Sequence, residues 1–473
     1  MSTITVPERE IPIVGEYDVI VAGGGPGGIP AAVAAARAGA KTLLIERYGY
    51  LGGMATAGLI TVLLGTRAPG TDEPMIGGVA EELCREMTAL GGAPEFDVAA
   101  KRGGISFDPE AFKLVSDALV LGSGVDLRLH SWAVDAIVED GMISALVLES
   151  KSGRQAVTGK VFVDATGDAD LVWQSGASFT QGREFDGAMQ SMGSMFRFGG
   201  VDEERLPQGD EREAVMEAAK DAINAGEINA YNPSWGGTVA GKIAGEHMAN
   251  ATRFPGDACN VEDLTRGEVQ VRRDSWQLID WWRANVPGLE NAYLIQTPPH
   301  IGLRESRQVI GLQRVTGQDV VDARTRDDAV ARCPYWIDIH CPLGRTKNST
   351  HLCYKKCPND PPCAMYEEHY EDLPGNADDP HREGLYPRDG LWFDIPWGSL
   401  VSADIPNLLT SGRCISCDHQ AMSAMRVMAT CMAIGEAAGE GAAMAADSSC
   451  EGDATLVNVA ELQKRLRANG AAC

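Results

Sequence analysis

The stretch that most constrains the fold of this chain runs from Asp18 to Glu46 and reads DVIVAGGGPGGIPAAVAAARAGAKTLLIE. Its order of apolar run, glycine turn, alanine-rich helix, second apolar run and acid is the Rossmann fingerprint of a dinucleotide site. Gly23 permits the tight turn, Gly25 lets the backbone approach a pyrophosphate, and Gly28 lets the helix pack closely on the sheet. Glu46 is placed to accept hydrogen bonds from ribose hydroxyls.

Length, charge and cysteine content narrow the class of protein. A chain of 473 residues predicts two domains, and its net charge of -25 disfavours binding to nucleic acid or to anionic membranes. The first 17 residues lack the features of a signal peptide, and the glycine cluster argues against a membrane span at residues 19–40. We therefore expect a cytoplasmic protein, whose twelve cysteines are thiols or metal ligands rather than disulfides.

Downstream of the glycine turn, the sequence predicts one helix and then a series of strands. Residues 108–110 have the N-cap, the proline and the acid of a helix start, and this helix is expected to run to about Leu121. Apolar runs predict strands at residues 125–129, 133–138, 143–148 and 160–163. Asp140-Gly141 indicates a hairpin turn between the second and third of them. We therefore expect a small antiparallel meander that interrupts a parallel sheet.

Several motifs together resemble one known family. They are the glycine turn, LGGMAT at residues 51–56, VDATGD at residues 163–168, and NLLTSGRCIS at residues 407–416 with an alanine- and glycine-rich helix after it. The chain resembles the FAD-dependent oxidoreductases with the glutathione-reductase-type FAD fold, which are related to the fumarate reductase and aspartate oxidase flavoproteins. The resemblance covers residues 15–185 and 395–446.

This resemblance implies an α/β fold with a discontinuous Rossmann-like FAD-binding domain, built from a parallel sheet plus an antiparallel β-meander. Residues 15–185 and 395–446 would form that domain, and residues 186–394 an inserted α+β substrate domain. Residues 447–473 would form a C-terminal surface helix and tail, because residues 457–466 have an amphipathic pattern.

The resemblance also implies which residues bind FAD. Gly23, Gly25 and Gly28 would hold the pyrophosphate, and Glu46 would hold the adenosine ribose. The other cofactor-binding residues that the family's motifs imply are Arg47, Gly53, Met54, Thr56, Val134, Gly167, Asp168, Gly412, Arg413 and Val427. No histidine lies between Glu46 and Thr56, so the covalent histidine linkage of some fumarate reductase relatives is not expected.

Three residues are candidates for the reaction centre. His419 lies in an expected flavin-facing loop, where its ordinary pKa of about 6.5 suits proton transfer, although a purely structural histidine is an open alternative. Arg304 is the candidate for binding a substrate oxygen; the alternative is a structural ion network with Glu305 and Arg307. Arg426 precedes the long C-terminal helix and would stabilise negative charge on the reduced flavin.

Five cysteines crowd into a loop at residues 333–363, in a spacing that matches no familiar zinc or ferredoxin pattern. One interpretation is a metal ion or an iron–sulfur cluster, and the other is a set of free or disulfide-linked loop cysteines. The candidate ligands are Cys341, Cys353, Cys357 and Cys363. A separate C-x-x-C pair, Cys414 and Cys417, is a weaker candidate for a redox dithiol.

Together these observations predict an FAD-dependent oxidoreductase that transfers a hydride between flavin N5 and a small organic substrate. No second G-x-G-x-x-G follows a strand, so a separate NAD(P)H domain is not expected. Two alternatives stay open: an FAD monooxygenase, and a flavin-bearing electron-transfer subunit with a metal or Fe–S site in the cysteine-rich loop. The expected partners are a small-molecule substrate and an unidentified electron acceptor or donor, with a homo-oligomer as an open possibility and neither nucleic acid nor a membrane.

Overall fold

The computed structural model describes residues 2–5, 8–184, 186–238, 243–342 and 390–473. Its strands are β1 (Ile13–Ala22), β2 (Thr42–Ile45), β3 (Val62–Leu64), β4 (Gly104–Ser106), β5 (Asp126–Arg128), β6 (Trp132–Glu139), β7 (Met142–Ser150), β8 (Gly153–Asp164), β9 (Phe179–Gln181), β10 (Met195–Gly199), β11 (Gly237–Thr238), β12 (His247–Asn250), β13 (Tyr293–Gln296), β14 (Arg307–Val309), β15 (Ala329–Cys333), β16 (Phe393–Pro396) and β17 (Leu408–Thr410). Its α-helices are α1 (Gly28–Arg37), α2 (Gly78–Ala89), α3 (Phe96–Ala99), α4 (Pro109–Gly122), α5 (Asp170–Gln174), α6 (Gly209–Ala225), α7 (Val261–Asn285), α8 (Gly317–Val321), α9 (His419–Met425), α10 (Met428–Ala445) and α11 (Val459–Ala468).

The largest sheet combines parallel and antiparallel strands in the order β5-β2-β1-β8-β7-β6, with β17 also paired to β8. Strands β5, β2, β1, β8 and β17 are parallel to their neighbours, whereas β7 and β6 run antiparallel. The long strand β8 joins the two parts: one edge pairs with β1, and the other pairs first with β7 and then, near its end, with β17. The predicted α/β fold with a meander in a parallel sheet is confirmed.

The parallel strands end side by side at one edge of this sheet. Ala22 at the end of β1 pairs with Ile45 of β2 on one side and with Asp164 of β8 on the other, and Thr410 of β17 pairs with Asp164. In open α/β sheets, ligands bind at the carboxyl ends of the strands. We therefore expect the ligand-binding site at this edge of the sheet.

Helices α1 and α10 pack against each other on one face of the sheet, and their alanines and glycines make the contact close. A Cβ on Gly439 of α10 would lie only 2.0 Å from the carbonyl oxygen of Ala31 in α1. A Cβ on Gly435 would lie 2.1 Å from the carbonyl oxygen of Gly27 in the glycine turn. Residues without side chains at these two positions let the backbone of α10 rest directly on the turn and on the helix that follows it.

A second, antiparallel sheet has the order β11-β12-β10-β13 and lies in residues 186–394, the segment predicted as the substrate domain. Its own apolar core includes buried aromatic side chains, among them Phe196, Phe198, Trp235 and Trp282. Further along the same segment, residues 315–341 contribute Val315, Ile337 and Ile339 to the main core instead. The exact domain boundaries stay a prediction from the sequence.

The structure also confirms the predicted start of α4, the hairpin turn at residues 140–141 and a helix near the C-terminus. Helix α4 is capped by Asp108, whose side chain accepts a hydrogen bond from the Glu110 amide at 2.8 Å. Asp140 and Gly141 have φ values of 51° and 81°, as a two-residue hairpin of type I′ requires. Helix α11 lies where the amphipathic pattern near the C-terminus predicts a helix. In the described part of the chain, no helix has the length and apolar character needed to cross a membrane.

Candidate active site

A cavity opens where β1, β2 and β8 end. The predicted site residues that line it are Gly23, Gly25, Glu46, Arg47, Gly53, Met54, Gly167, Asp168, Gly412, Arg413 and Arg426. The predicted site residues outside its lining are Gly28, Thr56, Val134, Val427, Arg304 and His419. Residues from both ends of the chain thus meet in one cavity.

The glycine turn has the geometry that its sequence predicts. Gly23 has a φ of +102°, a conformation that L side chains rarely adopt. A Cβ on Gly28 would lie 1.7 Å from the carbonyl oxygen of Gly23, so this glycine lets α1 start immediately behind the turn rather than at the cavity wall. The turn therefore presents backbone N–H groups and the N-terminus of α1 to the cavity, which is the arrangement that binds phosphate.

Glu46 ends β2 as a buried carboxylate, and both of its oxygens accept hydrogen bonds from the backbone. One oxygen accepts from the Gly24 amide at 2.8 Å and the other from the Tyr48 amide at 2.9 Å. Burial raises the pKa of Glu46, and the two backbone hydrogen bonds and Arg47 oppose that rise. Each oxygen retains a lone pair for a further donor, so the carboxylate can accept from a ribose hydroxyl.

Aromatic rings also line the cavity near Glu46, and the sequence did not predict them. Tyr48 and Trp132 both line the cavity, and the Arg47 guanidinium lies 4.9 Å and 5.9 Å from their ring centres. Ser131 and Ala133 complete this wall. Tyr48 directly follows Glu46 and Arg47, so its position in the sequence could have predicted that it lies near the ribose site. Residues 131–133 are brought to the cavity by the pairing of β5 with β2, which the local sequence does not show.

Val134, expected to meet the adenine, lies beside this wall rather than in it. The register of β6 against β7 shifts between Ala133 and Asp135, and Val134 sits in that irregularity while Ala133 lines the cavity. Thr56 is also turned away, because its hydroxyl donates to the carbonyl oxygen of Leu51 at 2.8 Å. The roles assigned to Val134 and Thr56 stay predictions, and neither residue lines the cavity.

Arg413 ties three segments together at the middle of the cavity. Its guanidinium donates to the carbonyl oxygen of Gly167 at 2.9 Å, to the Asp168 carboxylate at 3.1 Å and to the carbonyl oxygen of Leu303. Leu303 itself lines the cavity, although it lies far from the FAD motifs in sequence. The hydrogen bonds of the Arg413 side chain therefore go to protein groups. Arg413 lines the cavity and also holds the segments of its wall together.

The start of α10 also lines the cavity. Met428, the first residue of this helix, and Arg426 line the cavity, while Val427 is the N-cap residue between them. Val427 supplies no side-chain cap, so the N–H groups of the first turn have no partner from that side chain. A helix N-terminus next to an arginine is a site for negative charge.

His419 and Arg304 are both buried behind the cavity wall. His419 was expected in a loop, and this is wrong: it is the first residue of α9, where Asp418 acts as N-cap and accepts from the Ala421 amide at 2.8 Å. Its Nδ1 lies 2.8 Å from a carboxylate oxygen of the buried Glu305. Arg304 donates to the carbonyl oxygen of Ser191 at 2.7 Å.

The alternative of an ion network among Arg304, Glu305 and Arg307 does not match the contacts of these residues. Glu305 pairs with His419, while Arg307 donates to the Asp170 carboxylate at 3.2 Å. Asp170 lines the cavity, and burial together with the charges of Asp168 and Asp164 raises its pKa to about 6. Arg304, Glu305 and Arg307 therefore contact different partners and do not form one ion network.

The cysteines give no support for a metal site in the residues that the structure covers. There, no group of three or more His, Cys, Asp or Glu side chains could hold a metal ion. Cys341 is buried, and Cys353, Cys357 and Cys363 lie outside the described residues, so the proposed ligand set stays a prediction. Cys414 and Cys417 are buried, and burial raises the pKa of both thiols well above its usual value, which disfavours a redox dithiol.

The residues present fit an FAD molecule. The glycine turn and α1 offer a phosphate site, Glu46 offers a ribose acceptor, and the uncapped start of α10 offers a site for charge. A Cβ on Gly53 would lie 2.8 Å from the Cα of Gly25, so the loop at residues 51–56 packs backbone to backbone on the turn. Gly25 and Gly53 both line the cavity, so neither position places a side chain in the way of a dinucleotide.

The sequence matches the family described as FAD dependent oxidoreductase over residues 18–466, and the chain belongs to that family. Its cofactor is accordingly FAD. The resemblance drawn from the motifs is confirmed.

Individual relatives are more distant. Digeranylgeranylglycerophospholipid reductase 1 of Methanopyrus kandleri is 30% identical over 161 residues, which are 32% of this chain and 40% of that protein. The chain thus spans about two fifths of the length of the curated relatives it matches. A geranylgeranyl bacteriochlorophyll reductase-like protein from Thermoplasma acidophilum has a TM-score of 0.45 at 14% identity, over 97% of this chain and 84% of that chain. p-Nitrophenol 4-monooxygenase PnpA from Pseudomonas putida DLL-E4 has a TM-score of 0.36 at 13% identity, over 63% and 70%.

Proposed function

We propose that this protein binds FAD non-covalently and transfers a hydride between flavin N5 and a small organic substrate. The observation that carries the proposal is one cavity that combines the glycine turn, the buried Glu46 carboxylate and the uncapped N-terminus of α10. FAD supplies, when bound, the acceptor or donor of the hydride. The residues of the chain bind the cofactor, orient the substrate and manage the accompanying charge and proton.

Different parts of the cavity lining support different tasks. The glycine turn, through Gly25 and the N-terminus of α1, would hold the pyrophosphate, and Glu46 would hold the ribose. The α10 N-terminus and Arg426 would stabilise negative charge that develops during the reaction. The Arg426 guanidinium also donates to the Asp338 carboxylate at 3.0 Å, which fixes its position at the cavity wall.

His419 is the proposed proton donor or acceptor. In this proposal, Nδ1 of His419 donates its hydrogen to the Glu305 carboxylate at 2.8 Å, and Nε2 handles the proton. This Nε2 atom is buried and has no hydrogen-bond partner among the described residues. Glu305 in turn accepts from the Gln190 amide at 2.9 Å, which holds the carboxylate against the imidazole.

Anaerobic reduction of the bound flavin by a panel of organic substrates tests the proposal. Bleaching of the flavin by a substrate alone is the expected result. Bleaching only by NAD(P)H would favour an FAD monooxygenase instead. No bleaching by either would favour the electron-transfer subunit and would overturn the dehydrogenase or reductase assignment.

From the sequence we also propose that the protein is cytoplasmic and that it exchanges electrons with an external acceptor or donor. Assembly with further copies of the chain is a further proposal from the sequence.

A further inference from the structure

Two buried arginines from distant segments meet around a single glycine. Arg253 follows β12, and Arg304 lies between β13 and β14. Their Nη1 atoms lie 2.9 Å and 3.0 Å from the position that a Cβ on Gly193 would take, so the two guanidinium groups flank one point. The side chains are only 8% and 9% exposed, which removes the water that would otherwise screen their mutual repulsion.

The hydrogen bonds of these two arginines go to uncharged groups. Arg304 donates to the carbonyl oxygen of Ser191 at 2.7 Å, and Arg253 donates to the Asn250 side chain at 2.8 Å and to the carbonyl oxygen of Thr252 at 2.7 Å. Across the described ranges, neither forms an ion pair with Asp or Glu. A buried guanidinium is ordinarily paired with an acid, so this pair of cations is unusual.

A third arginine takes the acid that lies nearest. Arg426 pairs with the Asp338 carboxylate at 3.0 Å, and His340 lies 3.5 Å from the same carboxylate. We call Arg253, Arg304 and Arg426 the arginine cluster. Within the described part of the chain, its three positive charges face one carboxylate, which leaves an excess of positive charge among these buried residues.

The electrostatics agree with this excess. Burial lowers the pKa of Arg253 to about 10 and that of Arg304 well below its usual value, and the neighbouring arginines lower the pKa of Arg304 further. Burial and the charge of Arg304 hold the pKa of His340 well below its usual range. Burial alone would raise the pKa of Asp338, but His340, Arg426 and Arg304 hold it below its ordinary value. An added anion would therefore relieve the repulsion among these like charges.

Donors in the cluster also lack partners. Arg253 Nε and Arg426 Nε are buried and have no hydrogen-bond partner among the residues that are described. Tyr231 packs against the cluster, with its ring centre 4.0 Å from the Arg253 guanidinium. Buried unsatisfied donors are uncommon in native proteins, and a bound ligand that accepts hydrogen bonds is one standard explanation.

The cluster adjoins the cavity at its α10 end, because Arg426 lines that cavity and Leu303, the neighbour of Arg304, lines it too. We propose that the substrate carries a carboxylate and that Arg253, Arg304 and Arg426 bind this group beside the flavin. Guanidinium groups match carboxylates through paired N–H donors, and a negative group would balance the excess charge of the cluster. The inference deepens the proposed function and rests on it.

The test uses the full chain loaded with FAD, under anaerobic conditions. Succinate and benzoate are titrated while the flavin absorbance and the heat of binding are recorded, with succinamide and benzamide as uncharged counterparts. We expect saturable binding of a carboxylate, at least about 10-fold tighter than that of its amide, since charged hydrogen bonds are lost in the amide. The unfolding temperature of the wild-type protein should rise with the carboxylate and not with the amide.

Substitutions within the cluster locate the binding site. Arg253→Met and Arg304→Met should weaken carboxylate binding about 10- to 100-fold while FAD content stays constant. Arg304→Lys, which keeps the charge but loses the paired donors, should bind with intermediate affinity. Arg212→Met is the matched control, because Arg212 also packs over an aromatic ring, that of Trp235 at 4.9 Å, but lies outside the cluster.

The outcomes separate this inference from the proposed function. FAD-loaded protein that binds neither carboxylate, or binds the amides equally well, overturns the inference and leaves the proposed function standing. Inorganic phosphate that binds more tightly than both carboxylates, and is lost in the same variants, replaces the carboxylate class with a phosphate class. Protein that does not bind FAD overturns the proposed function itself.

Discussion

At the scale of single residues, Glu46 shows how the site holds a charge in a buried place. Burial raises its pKa, and the amides of Gly24 and Tyr48 fix its two oxygens at the end of β2. These contacts orient the carboxylate before any ligand arrives. Glu46 should therefore contribute to affinity through hydrogen bonds whose geometry is already set.

Glu46→Ala should weaken FAD binding by about 1–3 kcal/mol, because the charge-assisted hydrogen bonds to the ribose are lost. Equilibrium titration of the apoprotein with FAD measures the change. Glu16→Ala, at an exposed position of the neighbouring strand β1, is the control and should bind FAD like the wild type. Wild-type affinity in Glu46→Ala would remove the ribose role from this residue.

His419 is the residue on which the proton transfer depends. His419→Ala should retain FAD and fold but slow anaerobic flavin reduction by about 10²-fold or more, the usual scale for a lost acid–base group. His247→Ala tests a second buried histidine, one that lies in the second sheet 3.4 Å from Glu203, and should reduce at the wild-type rate. A wild-type rate of flavin reduction in His419→Ala would show that His419 has only a structural role.

At the scale of elements, α10 organises the molecule through contacts on several sides. Its glycines rest on α1, its N-terminus meets the cavity, and Glu436 on its other side accepts a hydrogen bond from the Val79 amide at 3.0 Å. That amide belongs to the first turn of α2, so Glu436 caps a helix that lies far away in sequence. One helix thereby couples the cofactor site to two neighbouring helices.

Glu436 should make stability depend on pH. Burial raises its pKa to about 7, so the folded state binds a proton more tightly than the unfolded state does. The stabilising contribution of the protonated group is present below the ordinary pKa and is lost as pH rises toward 7, on the order of 2–3 kcal/mol in all. Urea unfolding of FAD-saturated protein at pH 5 and pH 8 measures how far the free energy of unfolding declines with pH. Glu436→Gln should make this decline smaller. The exposed Glu213→Gln on α6 should not, and an unchanged pH dependence in Glu436→Gln would contradict the assignment.

The contact between α1 and α10 should be intolerant of one methyl group. Gly439→Ala should destabilise the protein by about 1–3 kcal/mol, because the new Cβ would lie 2.0 Å from the carbonyl oxygen of Ala31 and force the helices apart. Gly122→Ala, at the last residue of α4, is the control: nothing lies within 4 Å of its Cβ position. Denaturant unfolding compares the two, and equal stability in both would show that the helices separate easily.

At the scale of the whole molecule, FAD should be released intact when the protein is denatured. The stretch from Glu46 to Thr56 contains no histidine for a covalent linkage. Acid precipitation should therefore leave the yellow colour in the supernatant, and added FAD should raise the unfolding temperature by mass action. Colour that stays in the pellet would contradict non-covalent binding.

The amino-acid sequence by itself determined the nucleotide-binding unit. The glycine turn, the acid at the end of β2, the cap of α4 and the hairpin at residues 140–141 each depend on residues close in the chain. Their conformations follow from local rules about glycine, capping side chains and alternating apolar residues. For the same reason, the FAD motifs could be recognised from short stretches.

Only the tertiary structure decided what faces the cavity and what lies behind it. Trp132 and Leu303 reach the cavity through strand pairing and through Arg413, while the pairing of His419 with Glu305 joins residues 114 positions apart. The arginine cluster likewise forms from three segments that share no local pattern. Such contacts depend on how separate elements pack, and packing over long sequence separations leaves no periodic signal in the chain.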